Sequence, residues 1–262
     1  MRVLITGAAR AIGAATAQVL LDEGCEVVAT ARQLDALDAV PATLRLALDV
    51  TDDISVDACM AAAGEIDVLV NNAAIAEAGP LERYPLDRFR ACLETNTVGP
   101  LRMVQAVVPG MRERGRGAIV NISSINGRVS APLEGAYAAT KFALEAITES
   151  LHYELGHFGI RVVLIEPGYI APGMKSSPRW GLEPPYDELA AQWWGADAKL
   201  LGGAERPPPE IVGTAIWEAL TTDQPRLRWP VGSDAELVLA ARAELDDDAF
   251  EAAMRTTLGL TW

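Results

Sequence analysis

Cysteine is scarce. The 262-residue chain carries Cys25, Cys59 and Cys92, far apart in sequence, and such spacing offers neither a metal-ligand pattern nor a disulfide framework. Long apolar runs are missing too. Half of the residues are hydrophobic, yet no stretch approaches the ~20 residues that span a bilayer. The opening Met1-Arg-Val-Leu-Ile5 does not fit a signal peptide, so the cytoplasm is the expected compartment. Positive charge is in deficit: 22 Lys and Arg stand against 36 Asp and Glu, a net charge of −14. That balance argues against nucleic acid or an anionic membrane as partner. Any phosphate-bearing ligand must be held by local groups against the overall field. No internal repeat is visible, and the length suits one core in one α/β domain.

What is present alternates strand and helix. Arg2 to Ile5 reads as a short buried strand, followed by Thr6-Gly-Ala-Ala-Arg-Ala-Ile-Gly13, a helix over Ala14 to Glu23, and a strand over Glu26 to Thr30. Strand, Gly-containing turn, helix and strand make a dinucleotide-binding βαβ pattern. Its turn offers backbone N–H groups and a helix N-terminus to a pyrophosphate; a plain tight turn has the same local sequence. Leu44 to Leu48, Val68 to Val70, Ala118 to Ile122 and Arg161 to Ile165 read as further strands. They are closed by Asp49-Val50, Asn71-Asn-Ala-Ala74, Ser123-Ser124 and Pro167-Gly168, and a helix from Asp87 carries Asn96. Polar or Gly residues thus mark the carboxyl ends of the strands, the edge where open α/β sheets bind ligands.

The helix beginning at Gly135 has apolar residues at helical spacing: Phe142, Ala143, Ile147, Leu151 and Leu155. Tyr137 and Lys141 lie four apart on it and share a face. A free phenol, with a pKa near 10, is a poor acid-base group at neutral pH, and a nearby ammonium lowers that pKa. Ser124, thirteen residues before Tyr137, ends a strand where its hydroxyl can hold a substrate oxygen beside the phenol. A half-buried Tyr and Lys with no chemistry would look the same in isolation.

From Ala171 to Pro209 the alternation stops. Pro172, Pro178, Pro184, Pro185 and Pro207 to Pro209 are interspersed with Trp180, Tyr186, Trp193 and Trp194. The aromatic content argues against disorder, and residues 171–209 read as a substrate lid with helical pieces; a surface excursion packing its own tryptophans is the alternative. Glu210 to Leu220 reads as a helix and Leu227 to Val231 as an edge strand, because Pro230 disfavours a central one. Asp234 to Arg242 and Asp247 to Arg255 close the chain as helices. His152 and His157 fall on different faces of the long helix and read as structural, and Glu134 reads as a solvated loop charge.

With these residues assembled, the chain resembles the short-chain dehydrogenase/reductase family over nearly its whole length, least in the lid. Phe142-Ala-Leu-Glu-Ala-Ile-Thr-Glu-Ser150, Phe158-Gly-Ile-Arg161 and Arg226-Leu-Arg-Trp-Pro-Val-Gly232 are similar to its hydroxysteroid and retinol dehydrogenase-like branch. The resemblance implies a single-domain Rossmann fold over residues 1–262, a doubly wound parallel sheet with helices on both faces and a lid after the sixth strand. It implies Tyr137 as general acid/base, Lys141 as the residue that acidifies it and binds the nicotinamide ribose, Ser124 as the orienting hydroxyl, and Asn96 as anchor of a relay water. It places Thr6, Gly7, Ile12 and Gly13 in the cofactor turn, Asp49 and Val50 at the adenine, and Asn71 and Ala73 by the adenosine ribose. Pro167, Gly168 and Ile170 match the nicotinamide contacts. Three positions depart from the pattern: Ala11 for the middle glycine of the turn, Ala74 for a glycine, and Pro172 for a threonine. At Ala11 a requirement for φ > 0 would cost ~1–2 kcal/mol.

The expected cofactor is NADP(H), with NAD(H) as the alternative. An acid at the end of the second strand would hold the 2′-hydroxyl of NAD(H). Ala31 stands there instead, with Arg32 next and Arg10 in the turn, a guanidinium pair suited to a 2′-phosphate. The expected reaction is metal-free hydride transfer between this cofactor and a carbonyl or alcohol, on a bulky apolar small molecule if the lid tryptophans line the site. Alanine-rich second faces on the Asn96 and Tyr137 helices, with the resemblance, imply a homodimer or homotetramer. A non-catalytic NADP(H)-sensing regulator and an epimerase of the extended branch are the competing functions.

Overall fold

The computed structural model describes residues 1–173 and 179–262. In chain order the elements are β1 (Arg2–Ile5), α1 (Ala11–Asp22), β2 (Glu26–Ala31), β3 (Leu44–Ala47), α2 (Asp53–Ala63), β4 (Val68–Asn71), α3 (Leu86–Leu93), α4 (Gly99–Arg114), β5 (Gly117–Ile122), α5 (Gly135–Gly156), β6 (Ile160–Pro167), α6 (Asp187–Trp193), α7 (Ala196–Leu200), α8 (Glu210–Thr221), β7 (Arg228–Val231), α9 (Ser233–Glu244) and α10 (Asp247–Leu258). The strands form one sheet, ordered β3-β2-β1-β4-β5-β6-β7, and every pairing in it is parallel.

Parallel strands covered on both faces need apolar side chains on both, and the sequence supplies them: Val3, Leu4 and Ile5 of β1 have no exposed surface. Alternate residues feed opposite cores. Val3, Ile5 and Val27 pack with Leu20 of α1 and Val212 and Ile216 of α8. Leu4, Val28 and Leu69 pack with Met103 and Val107 of α4 and Leu151 and Leu155 of α5. Because β1 pairs with both β2 and β4, the winding reverses there and opens a crevice at the strand carboxyl ends. A third apolar cluster joins Leu133, Leu189, Trp193, Leu200, Val238 and Leu258, tying α6 and α7 to the C-terminal helices.

The edge strand, the terminal helices and the helical pieces α6 and α7 lie close to where the sequence places them. Pro178, with residues 174–177, lies outside the described residues. Helix α2 has no counterpart in the sequence reading; Asp52 caps it by accepting from the Ile54 N–H at 3.1 Å. The helix expected from Asp87 through Asn96 is broken by a π turn over Glu94–Val98. Two of the tryptophans expected to line a lid are spent on the protein itself: Trp193 is 4% exposed, and the Trp180 indole donates to Glu77 Oε2 at 2.9 Å. Among the described residues no helix is long and apolar enough to cross a membrane.

Candidate active site

Helix α5 starts at the carboxyl edge of the sheet and carries Tyr137 and Lys141 in its first two turns. Lys141 is 3% exposed. Its ammonium donates to the Ile122 carbonyl at the end of β5, at 2.7 Å, and stands 5.6 Å from the centroid of the Tyr137 ring. Burial pulls the amine down to about 8, against the opposing charge of Glu145. Tyr137 is half-buried. Burial pushes its phenol up, the neighbouring Ser124 hydroxyl pulls it down, and the Glu134 charge adds to the rise. Burial outweighs the rest, so the protein alone does not make this phenol acidic.

Ser124 follows β5 in extended conformation and accepts from the Asn126 N–H at 3.1 Å. Asn126 in turn donates to Glu134 Oε2. Glu134 is therefore not the solvated loop charge expected from sequence. It is half-buried, burial raises its pKa, and Asn126 and Trp193 hydrogen-bond to it. Loop folding brings these partners together, and nothing local in the sequence marks them. Asn96 has no exposed surface. Its Oδ1 accepts from the Ile75 N–H at 2.8 Å, and its Nδ2 donates to the Ile75 carbonyl at 2.7 Å and to Thr140 Oγ1 at 3.0 Å. The side chain is a brace between the post-β4 segment and α5. A π turn at that position opens the helical ladder.

The first turn is built by a clamp from β4. Thr6 Oγ1 accepts from the N–H groups of Asn72 and Ala73, both at 3.0 Å. Asn72 Nδ2 donates to the carbonyls of Thr6 at 3.0 Å and Gly7 at 2.9 Å. Asn72 is a residue the sequence reading did not single out, although it lies in the quoted Asn71-Asn-Ala-Ala74 run. Gly7 has φ +64°, and a Cβ there would lie 2.8 Å from Ala73 Cα. A Cβ on Gly13 would lie 2.6 Å from the Gly7 carbonyl oxygen. Ala11 has φ +47°, a conformation natural to the glycine it replaces. Helix α1 opens with no acidic residue in its first turn and no side-chain cap from Arg10, which leaves the positive end of the helix dipole without a compensating side chain there. Ile12, in that first turn, is half-buried.

Around this turn Arg10 and Arg32 are exposed. Asp49 Oδ1 accepts from the Thr51 N–H at 2.9 Å and hydroxyl at 2.7 Å. Burial raises the Asp49 pKa, but the Thr51 bonds and the charges of Arg32 and Arg102 outweigh it and leave it lowered. The Val50 carbonyl accepts from Arg102 at 2.7 Å, and its side chain packs against Gly99. Asn71 is buried, donating to Asn121 Oδ1 at 2.9 Å and to the Pro100 carbonyl at 3.3 Å. Pro167 ends β6. Gly168 lies against the buried carboxylate of Asp234, which accepts from the Tyr169 N–H at 2.7 Å, and Ile170 is buried behind it. Cys25, Cys59 and Cys92 are buried and His152 and His157 exposed. Among the described residues no cluster of His, Cys, Asp and Glu is able to hold a metal ion.

A model of the short chain dehydrogenase family matches residues 1–180. A 3-ketodihydrosphingosine reductase from Bacteroides thetaiotaomicron is 33% identical over 260 residues, covering 97% of this chain and 96% of that protein. The crystal structure of a short-chain dehydrogenase from Streptomyces avermitilis superposes with a TM-score of 0.81 at 34% identity, covering 98% of both chains. One from Burkholderia cenocepacia in complex with NADP superposes with a TM-score of 0.79 at 27% identity over 97% of this chain and 96% of that one. NAD⁺-bound xylitol dehydrogenase superposes at 0.74 and 26% identity, over 88% and 97%. The fold agrees with these likenesses: this chain belongs to the short-chain dehydrogenase family.

Proposed function

We propose that the protein interconverts a ketone or aldehyde and the corresponding alcohol by hydride transfer with NADP(H), Tyr137 serving as general acid/base. The observation that carries this reading is the convergence of Tyr137, Ser124 and the Lys141 ammonium at the carboxyl edge of β5, on the rim where α/β sheets take ligands.

The residues present suit a dinucleotide. The cradle between Gly7, Gly13 and Ala73 has no room for another Cβ, and the uncapped start of α1 suits a pyrophosphate. Thr6, Gly7, Ile12 and Gly13 would hold that part, Asp49, Val50, Asn71 and Ala73 the adenosine side, and Lys141, Pro167, Gly168 and Ile170 the nicotinamide side. When bound, the nicotinamide supplies or accepts the hydride. In reduction, Ser124 Oγ fixes the carbonyl oxygen and Tyr137 Oη delivers a proton to it. Burial keeps the free phenol protonated, the form needed to donate. Its release as phenolate in the oxidative direction calls for positive charge beyond what the protein supplies, and Lys141 is the protein's share of it.

NADP(H) is favoured by Arg10 at the start of α1 and Arg32 directly after Ala31 at the end of β2, both exposed. The relatives bind either cofactor: one superposed structure holds NADP and another NAD⁺. The Bacteroides relative is named a reductase of 3-ketodihydrosphingosine, in keeping with a carbonyl substrate here. Because Trp180 and Trp193 pack against the protein, they give less support to a bulky apolar substrate. A lid at 171–209, a homo-oligomer and a cytoplasmic setting belong to the same proposal.

The test follows NADPH absorbance over a panel of ketones and secondary alcohols. Tyr137→Phe is expected to abolish turnover while leaving NADPH binding within about threefold, and a variant retaining activity refutes the assignment. Arg32→Asp is expected to move the kcat/KM ratio toward NAD(H); an unchanged ratio removes the cofactor assignment.

A further inference from the structure

Behind Lys141 lies a cluster of charge that the proposed chemistry does not use. Glu145, one turn further along α5, and Glu166 on β6 are 4% and 1% exposed. A single arginine, Arg228 of β7, serves both: its Nε lies 3.0 Å from Glu145 Oε2 and 3.4 Å from Glu166 Oε1. Arg128, after the β5 loop, reaches Glu166 only at 3.8 Å and is half in solvent. Arg228 is further divided, since its Nη2 pairs at 2.5 Å with the exposed Glu149. Both carboxyls meet the same Arg228 Nε, and each has one buried oxygen, Oε1, without a hydrogen bond; in Glu166 it is the oxygen 3.4 Å from that Nε. The hydroxyl of Ser123 faces Glu145 and can serve one of these oxygens. The other needs a proton, because a buried acceptor without a partner costs about 1–3 kcal/mol and two buried carboxylates in contact repel.

We infer that Glu145 and Glu166 share one proton and one negative charge, and that this pair keeps the Lys141 amine in its ammonium form. They are positioning residues, acting on the chemistry through Lys141, and their catalytic consequence rests on the function proposed above. The charged and titratable groups around the pair are Lys141 and Glu149 on α5, Arg128 after β5, and Arg228 on β7. Of these, Lys141 lies on the side of the reacting phenol, one helical turn before Glu145: burial lowers the amine while Glu145 raises it. The raised pKa of Glu166, about 7, has burial and the Glu145 charge as its leading causes.

The test reads the lysine directly. Lys141, Lys175 and Lys199 are the only lysines in the sequence, so carbon-13 labelling at Cε gives three resonances that Lys175→Arg and Lys199→Arg assign. Because the pair carries one charge, Glu145→Gln alone leaves that charge on Glu166, whereas the double variant Glu145→Gln/Glu166→Gln removes it and is expected to lower the Lys141 titration midpoint by about half a pH unit or more, a threefold change in its acid constant. Glu149→Gln, which also removes a partner of Arg228, leaves it in place. An unmoved midpoint in the double variant, or an equal shift in Glu149→Gln, overturns the inference. The two amides can hydrogen-bond to one another, and the double variant is expected to fold. Should it not, the infrared difference spectrum of wild type minus Glu166→Gln at neutral pH decides. The carbonyl band of a protonated carboxylic acid supports the shared proton, and its absence overturns it. A Lys141 midpoint that shifts as expected in a protein transferring no hydride to any panel substrate keeps the inference and refutes the proposed function.

Discussion

Replacing Lys141 by Met is expected to raise stability at neutral pH while ending activity. The ammonium is 3% exposed, and burial lowers its pKa from 10.5 to about 8. That gap corresponds to roughly 3 kcal/mol of cost to the folded state wherever the amine is charged in both states. Methionine has a similar unbranched stem and no charge to desolvate. Against the gain stands the bond to the Ile122 carbonyl at 2.7 Å, whose loss costs about 1–3 kcal/mol. The variant should thus be about 1 kcal/mol more stable near neutral pH. The pH dependence gives the sharper check. The folded pKa lies below the unfolded one, so the full cost is present below about 8 and is relieved as pH rises toward 10.5. Above that window wild type keeps its hydrogen bond without the charge, and the order of stability reverses. Urea melts of both proteins near neutral pH and near the upper end of the window measure the two differences. A stability difference that does not change with pH refutes the argument.

Two further substitutions probe the crevice. Ala11→Gly removes a methyl from φ +47°: relief of ~1–2 kcal/mol, less the flexibility glycine adds to the unfolded chain, about 0.4–1 kcal/mol, leaves a gain of about 0.5–1 kcal/mol. A Tm higher by about 1–4 °C is expected, and an unchanged or lower Tm shows that the strain is absorbed elsewhere. Gly168→Ala drives a Cβ into the Asp234 carboxylate, which has no exposed surface and holds the Tyr169 N–H. A loss of about 1–3 kcal/mol by urea melt is expected, with weaker NADPH binding, and a variant as stable as wild type refutes the tight packing inferred there.

How much of this was legible in the chain depended on the range of the interaction. The strands announce themselves because a parallel sheet covered on both faces leaves its residues no polar option: Val3-Leu-Ile5 and Val68-Leu-Val70 are apolar throughout and nearly without exposed surface. Helix α2 escaped because its sequence, Asp53-Ile-Ser-Val-Asp-Ala-Cys-Met-Ala-Ala-Ala63, hides a narrow apolar stripe of Val56, Cys59 and Ala63 among small residues. Tyr137 and Lys141 were visible as an i,i+4 pair, since one helix brings them together. The partners that set their environment were not, because they come from elsewhere. Glu134 meets Trp193 of the lid, Asn72 reaches back to Thr6 and Gly7, and Arg228 arrives from the last strand to divide itself between Glu145 and Glu166.

The same distinction separates the acid from its surroundings. A phenol and an amine one turn apart suggest, on the sequence, a phenol acidified by its neighbour. In the folded protein the ammonium lies over the ring and is bonded to a carbonyl, and burial raises the phenol and lowers the amine. Both groups are therefore held by the fold in their less acidic or less charged direction. The protein alone is poised to donate a proton rather than to accept one. A pair whose two pKa values are pushed apart by burial responds strongly to any charge added between them, because desolvation removes the water that would screen it. On this argument the apo protein stores the sensitivity, Glu145 and Glu166 keep the amine from losing its charge, and ligand charge at the crevice sets the direction of proton transfer.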